Sequence, residues 1–383
     1  MKRTGLAIAV IALLFAACKK DTKLPPPADE LQGASAKSNR SPHDAAGHVY
    51  TMSNDPGSNM VLDYLRAADG TLTLGGSYAT GGTGTGTGLG NQGAVIFADG
   101  GDVLLVVNPG SNTISSFKIT PAGLNLKSVV NSGGVRPVSL TSHDDLVYVL
   151  NQGGNGSISG FRLRNNDKLE PIPNSTRPLS VPAPTDPAQI SFVLGGKALV
   201  ITEKATNTIT TYTVNHSGTP GVMHTMMSST PTPFGFDTGT LGLVFVSEAA
   251  GGAPGASALS SYRVLLNGEI SLVEGSVSAG QTAACWVVIK DGKYAYTTNT
   301  GSNNISNFDV NIFSGNIGVN DAVAAMTQAG PIDAALSRDS RYLYVLTSMG
   351  HTIDVFAAAA NGDLTHIQTV PGLPPAANGL AAK

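Results

Sequence analysis

The chain is poor in charge and in cysteine, and it lacks a long apolar run. Only 13% of its 383 residues are Asp, Glu, Lys or Arg, and the formal net charge is −3. That balance excludes a nucleic-acid binder that works by neutralising phosphates. Cys18 and Cys285 are the two cysteines, too few for a disulfide framework. The apolar stretch Leu6 to Phe15 is too short for a stable transmembrane helix. His43, His48, His143, His216, His224, His351 and His366 are scattered and none stands at metal-ligand spacing, so neither a metal nor a cofactor is expected. What is abundant is glycine (46) and proline (22). With 41% hydrophobic residues the chain is too apolar to be disordered, and this mixture fits an all-β protein with many turns.

Residues 1–18 read as a targeting segment. Lys2 and Arg3 form a positive start, Leu6 to Phe15 an apolar centre, and Ala16-Ala17 the small residues before Cys18. The pattern resembles a bacterial lipoprotein signal, with Phe15 where leucine is usual. It implies lipidation of Cys18, which leaves Cys285 as a lone thiol, and a protein held at the bacterial envelope, on the outer membrane, by its acyl chains. Residues 19–47, with Pro25-Pro26-Pro27 and small polar residues, read as a flexible tether. Residues 48–383 are the folded part.

There the stretch Tyr294 to Phe308 reads as a β-hairpin: a β-rich run ending at Asn299, a Gly/Ser/Asn turn, then a strand with Ile305 and Phe308. Seven copies follow one another at roughly 50 residues. A polar column runs Asn54, Asn108, Asn151, Glu203, Glu248, Asn299, Ser348. An apolar column follows it (Val61, Ile114, Ile158, Ile209, Leu259, Ile305, Ile353), and an aromatic stands three residues after each (Tyr64, Phe117, Phe161, Tyr212, Tyr262, Phe308, Phe356). Another apolar strand precedes each polar column, as in Pro187 to Phe192. The expected fold is a seven-bladed β-propeller of four-stranded antiparallel blades. The first copy lacks its inner strand, and 377–382 has that character, so the C-terminal strand should complete blade one and close the ring.

In such a ring the polar column and the starts of the inner strands should face the top mouth of the channel. Glu203 and Arg136 are the candidate catalytic residues there, as general base and anion anchor. Gln189, Glu248, Asn299, Trp286 and Asp333 are the candidate substrate contacts. Each has a structural alternative: a hydrogen-bonded girdle for the column, packing for Trp286, and a partner such as Arg136, Lys204 or Arg263 for the glutamates. The run Thr80 to Gly93 contains a GxGxxG match, but a strand and not a helix follows it, so a dinucleotide fingerprint is rejected. It reads as a glycine loop or as a mobile cover over the mouth.

Ala198 to Lys204, Tyr294 to Gly301, and the pairs Arg136-Pro137 and Asp333-Ala334 resemble the seven-bladed β-propeller lactonase family, which includes 6-phosphogluconolactonase-like and carboxymuconate-cyclising proteins. The resemblance implies hydrolysis of a sugar-acid lactone, with Glu203 matching the family's glutamate. The family's Arg-His pair is replaced here by Ala188-Gln189. A second class therefore stays open: a non-enzymatic propeller that binds a glycan, peptide or envelope protein through its top face. The expected partner is a small carbohydrate-derived or carboxylated ligand, or such an envelope protein or glycan, and the expected state is a monomer.

Overall fold

A computed structural model describes residues 45–383; the targeting segment, Cys18 and nearly all of the tether lie outside the described residues. Seven antiparallel sheets follow one another along the chain. In blades 2 to 7 the innermost strands are Val95–Ala98, Pro137–His143, Pro187–Val193, Pro233–Thr238, Ala284–Lys290 and Pro331–Leu336. Blade 1 takes its inner strand from Asn378–Ala382, which pairs with Gly47–Met52 in the register Val49↔Ala382, Tyr50↔Ala381 and Met52↔Asn378. The chain is thus an all-β, seven-bladed propeller closed by its own C-terminal strand. Blade 3 departs from the four-strand rule: its outer strand is two short pieces, Leu169–Pro171 and Arg177–Pro178. Pro171 and Pro173 lack the N–H that a continuous ladder needs.

Sequence pattern follows burial. Each second strand lies between two neighbouring blades and is covered on both faces, so it reads as a near-continuous apolar run: VLLVVN, ALVITE and LVFVSE are buried at every position. On the third strands the apolar and aromatic residues stand three apart and so point to opposite faces. One packs toward each neighbouring blade, and all fourteen are buried. Outer strands are half exposed; Pro220–Met227 alternates along most of its length.

Adjacent blades share no backbone ladder, so side chains join them. Tyr148, Tyr296 and Tyr344 each send a hydroxyl to a glycine carbonyl in the next blade: Gly218 at 2.5 Å, Gly362 at 2.8 Å and Gly70 at 3.1 Å. On the axis, inner strands expose amides that a side chain of the neighbouring strand or of an adjoining loop must satisfy. Thr141 Oγ1 accepts from Phe192 N (3.1 Å), Gln189 Oε1 from Phe236 N (2.7 Å) and Asp237 Oδ2 from Ile289 N (2.8 Å). Burial raises the Asp237 carboxyl to about 6 even against two amide donors.

Register corrects two members of the polar column. Asn108 lies opposite Thr113, the residue before Ile114. The equivalents are Ser53, whose N–H donates to Met60 O at 2.8 Å, and Thr347, opposite Thr352. Asn54 and Ser348 each sit one residue further on.

Candidate functional site

The polar column turns into the seams between blades and away from the channel. Glu203 is fully buried. Its Oε1 accepts from Thr210 Oγ1 (2.5 Å) and Ser180 N (3.2 Å), and its Oε2 from Ser180 Oγ (2.5 Å) and Thr206 Oγ1 (3.3 Å). Glu248 accepts from Ser260 Oγ (2.7 Å), Thr230 N (2.8 Å), Ser229 N (3.1 Å) and the Tyr262 hydroxyl. Burial raises its pKa, and these donors pull the other way. Asn299 donates to Asn304 Oδ1 (2.7 Å) and Ser306 Oγ (2.8 Å). The common partner is the hydroxyl residue after the apolar column: Ser115, Thr210, Ser260 or Ser306. For the two glutamates, the loop entering the same blade adds Ser180 or Ser229 and Thr230, while Thr206 comes from the following turn and Tyr262 from the third strand. Glu203→Ala would leave the Ser180 and Thr210 donors unmatched in a buried seam. It is expected to cost about 2–4 kcal/mol in urea unfolding, with Glu203→Gln costing less; equal stability of the alanine variant would contradict the girdle.

A second column escaped sequence reading. Asn112, Asn207 and Asn303 lie two residues before the apolar column, all with positive φ (57°, 55°, 55°). Each side-chain oxygen accepts the N–H that starts the next inner strand: Arg136 (2.7 Å), Thr232 (2.8 Å) and Gly330 (2.8 Å). The signal was present as a repeated Asn-x-Ile. Arg136 is thus a backbone hinge with φ 56°; its side chain is half-buried and its Nε has no hydrogen-bond partner.

The glycine run is a fixed plug. Its first half is held by Asn54, which accepts from Thr85 N (2.9 Å) and donates to Thr87 O (2.7 Å). Residues 89–93 then cross the axis. Asn91 donates to Val138 O of blade 3, Gln92 N to Ala188 O of blade 4 (3.1 Å), and the Gln92 amide both donates to and accepts from Val287 of blade 6 (2.9 and 3.3 Å). Trp286 Nε1 donates to Asn91 O at 2.7 Å, and Lys204 Nζ donates to Gly90 O. A Cβ on Gly235 of blade 5 would come within 2.1 Å of Gln92 Oε1, so the closeness of the plug requires glycine there. Trp286 also packs on Phe234 at 4.8 Å between ring centroids. Leu89 and Asn91 are 3% and 0% exposed. Where a glycine loop or a mobile cover was expected, the run forms a stopper in the upper mouth. Cys285, beside Trp286, is buried and is not a free thiol, where a lone thiol was expected.

Below the plug lie two cavities. The upper, about 290 Å³, is lined by Gln92, Thr141, Gln189, Ser191 and Asp333 among others; the lower, about 560 Å³, opens on the bottom face. Of the seven sequence candidates only Gln189 and Asp333 face this space. Gln189 is committed to Phe236 through both amide atoms (2.7 and 2.9 Å). Asp333 is 2% exposed. Its Oδ1 accepts from Ala334 N at 2.9 Å; Oδ2 makes no hydrogen bond of normal geometry, although the Leu380 amide stands close enough to act on the carboxyl. Desolvation raises its pKa to about 8, against the amides of Ala334 and Leu380. Among the described residues no group of three His, Cys, Asp or Glu could hold a metal ion.

A ring of seven four-stranded blades around a plugged axis is a β-propeller of the seven-bladed class. Residues 285–382, spanning the last two blades and the closing strand, match the family model described as "Lactonase, 7-bladed beta-propeller". That match covers about a quarter of the chain, so with the blade count it makes the chain similar to the seven-bladed β-propeller lactonase family over its last two blades. No curated protein matches it. Solved structures similar to it include a putative 6-phosphogluconolactonase from Bacteroides uniformis (15% identity, 87% of this chain and 99% of that one, TM-score 0.68). Another is the putative 6-phosphogluconolactonase from Bacteroides fragilis (15%, 87% and 97%, TM-score 0.64). A third is the periplasmic gluconolactonase PpgL of Pseudomonas aeruginosa (15%, 87% and 98%, TM-score 0.66). At these identities the likeness shows the fold.

Proposed function

We propose that the protein hydrolyses the lactone of a small sugar acid inside its axial cavity, with Asp333 as the acid. The observation that carries this reading is a buried carboxyl in a hydroxyl-lined cavity, one oxygen without a well-formed hydrogen bond, raised to about 8. A carboxyl that stays protonated at neutral pH can give its proton to a leaving oxygen. Water adds its oxygen to the acyl carbon, the ring C–O bond breaks, and the ring oxygen leaves with the Asp333 proton. The proton lost by the water returns to the Asp333 carboxylate, so the enzyme ends as it began. The names of the similar structures support lactones as the substrate class, and the lipoprotein-like start supports the bacterial envelope as the setting.

This reading moves the chemistry from Glu203 and Arg136 to Asp333. Glu203 has four donors around it and borders neither cavity, so it has little freedom to orient water. The test is turnover of a panel of aldonolactones by the full chain. Asp333→Asn is expected to lower the rate by about 100-fold or more. Retained turnover in Asp333→Asn would overturn the assignment. No turnover on any lactone, with saturable capture of a glycan or peptide, would favour the binding propeller, a reading that the sealed top mouth and the saturated glutamates also suit.

A further inference from the structure

The plug closes the upper mouth, and the two cavities share Phe97 and Ser142 in their walls. They therefore adjoin along one axial bore, the wider one opening on the bottom face. The wider part holds Arg338, Lys383 and His143 beside Asp99, Asp144 and the open turn Gly100-Gly101. A Cβ at either glycine would meet nothing within 4 Å, so the opening is unobstructed there.

The charges at this mouth are unequally satisfied. Arg338 and Lys383 take part in none of the ion pairs among the described residues. Lys383 Nζ donates to Gly101 O at 3.0 Å and lies 5.7 Å from the centre of the Phe97 ring. Its pKa is lowered by burial and by the positive charge of Arg338, with Asp102 and Asp63 opposing. The acids are spent elsewhere or turned outward: Asp102 pairs with Lys118 at 3.7 Å, Asp144 has a side chain 87% exposed and lies 3.7 Å from His143, and Asp99 is exposed. The backbone oxygen of Lys383 is taken by His48 N (3.1 Å) and Arg66 Nε (3.2 Å). Two cations, one of them partly desolvated, therefore line a cavity whose own acids, Asp99 and Asp144, are exposed and make no ion pair with either of them.

We propose that this lower mouth is an anion-binding site, with Arg338 and Lys383 holding the carboxylate or phosphate of a small polyhydroxylated molecule. The rest of that molecule reaches up the bore toward Ser142, Thr141 and Ser191. Arg supplies paired donors and Lys a compact charge, which suits either anion. The inference deepens the lactone reading, resting on it only for the chemistry further up the bore, and it reverses the expected direction of approach: ligand enters from the bottom face and the top face is closed.

Calorimetric titration of the full chain with D-gluconate, and separately with inorganic phosphate, tests it without any turnover. Saturable millimolar or tighter binding is expected for at least one probe. Arg338→Glu should weaken it about tenfold or more, Lys383→Glu similarly, and Lys127→Glu on the outer strand of blade 2 should not. Arg338 is exposed, so its variants should melt as the parent does; Arg338→Gln gives a milder second check. No heat from either probe, or binding indifferent to Arg338→Glu and Lys383→Glu, overturns the site. Binding that behaves as expected in a protein that opens no lactone leaves the site standing and removes the catalytic reading. Lactone turnover that ignores Arg338→Glu does the reverse.

Discussion

Removing residues 378–383 should abolish cooperative folding. The deleted strand is the inner wall of blade 1, and its hydrogen-bonded pairing with Gly47–Met52 closes the ring. Its loss uncovers Val49, Tyr50 and Met52, each 0–1% exposed, and breaks the pairing of Asn378–Ala382 with Gly47–Met52. It also removes the bonds from Lys383 N to His48 O (2.9 Å) and from Thr51 Oγ1 to Asn378 O (3.3 Å). Exposing three large apolar side chains costs roughly 5–9 kcal/mol, which is the size of the whole stability of an ordinary domain. The measurement is a thermal melt followed by circular dichroism. The truncated chain should show no sharp transition, or should be recovered only as aggregate, because an inner edge left open invites pairing with another chain. A permuted chain gives the matching positive result. Lys383 O lies 3.1 Å from His48 N, so a short turn joining Lys383 to Ala46, with new ends opened between two other blades, should melt near the parent temperature. A truncated chain that melts normally would mean that blade 1 stands without its inner strand.

That closure was legible in the sequence because it depends on counting. Second strands buried on both faces leave apolar runs too long to miss, and the apolar-aromatic pair at a spacing of three marks every third strand. Once seven such units are aligned, a missing inner strand at one end and a spare one at the other are arithmetic. The site was less legible for physical reasons. Whether a polar residue at a strand end points to the axis or to a seam depends on local pairing, and sequence carries no direct mark of that; hence Glu203, Glu248 and Asn299 were expected at the mouth. In blades 1 and 7 a polar neighbour stood beside the true column, so Asn54 and Ser348 displaced Ser53 and Thr347. The plug is set by partners far away in the chain: Gln92 meets Val287, and Asn91 meets Trp286. Local reading of a glycine run cannot supply such partners. Asp333 was named from its place on an inner strand, but its protonation follows from burial, which only the closed ring creates.

Raising the pH from 4 to 8 should destabilise the parent protein, and Asp333→Asn should remove the larger part of that slope and most of it above pH 6. An aspartate has an ordinary pKa of 3.8, and burial lifts this one to about 8. Between those values the folded state holds a proton that the unfolded chain has released. Stability therefore falls as pH rises through the window, and the fall ends once the folded carboxyl also ionises, near pH 8. Below pH 4 both states are protonated and the contribution is fully present. One proton held by the folded chain alone is worth about 1.4 kcal/mol for every pH unit crossed, so the span across the window is at most on the order of 5 kcal/mol. Asp237, raised to about 6, adds a smaller fall of the same sign that ends earlier, and Glu248, also raised by burial, adds to it, so the difference between parent and Asp333→Asn over pH 6 to 8 reports Asp333. Urea unfolding at pH 6, 7 and 8 provides the measurement: the parent should lose stability at each step, while the asparagine variant, which keeps an acceptor for Ala334 N, should stay nearly level. The same proton is the one proposed for the leaving oxygen, so lactone turnover should hold across this window and decline only around pH 8, where the folded carboxyl itself ionises and the stability loss ends. A level stability profile in the parent would mean that Asp333 is ionised at neutral pH, and an ionised carboxylate has no proton to give.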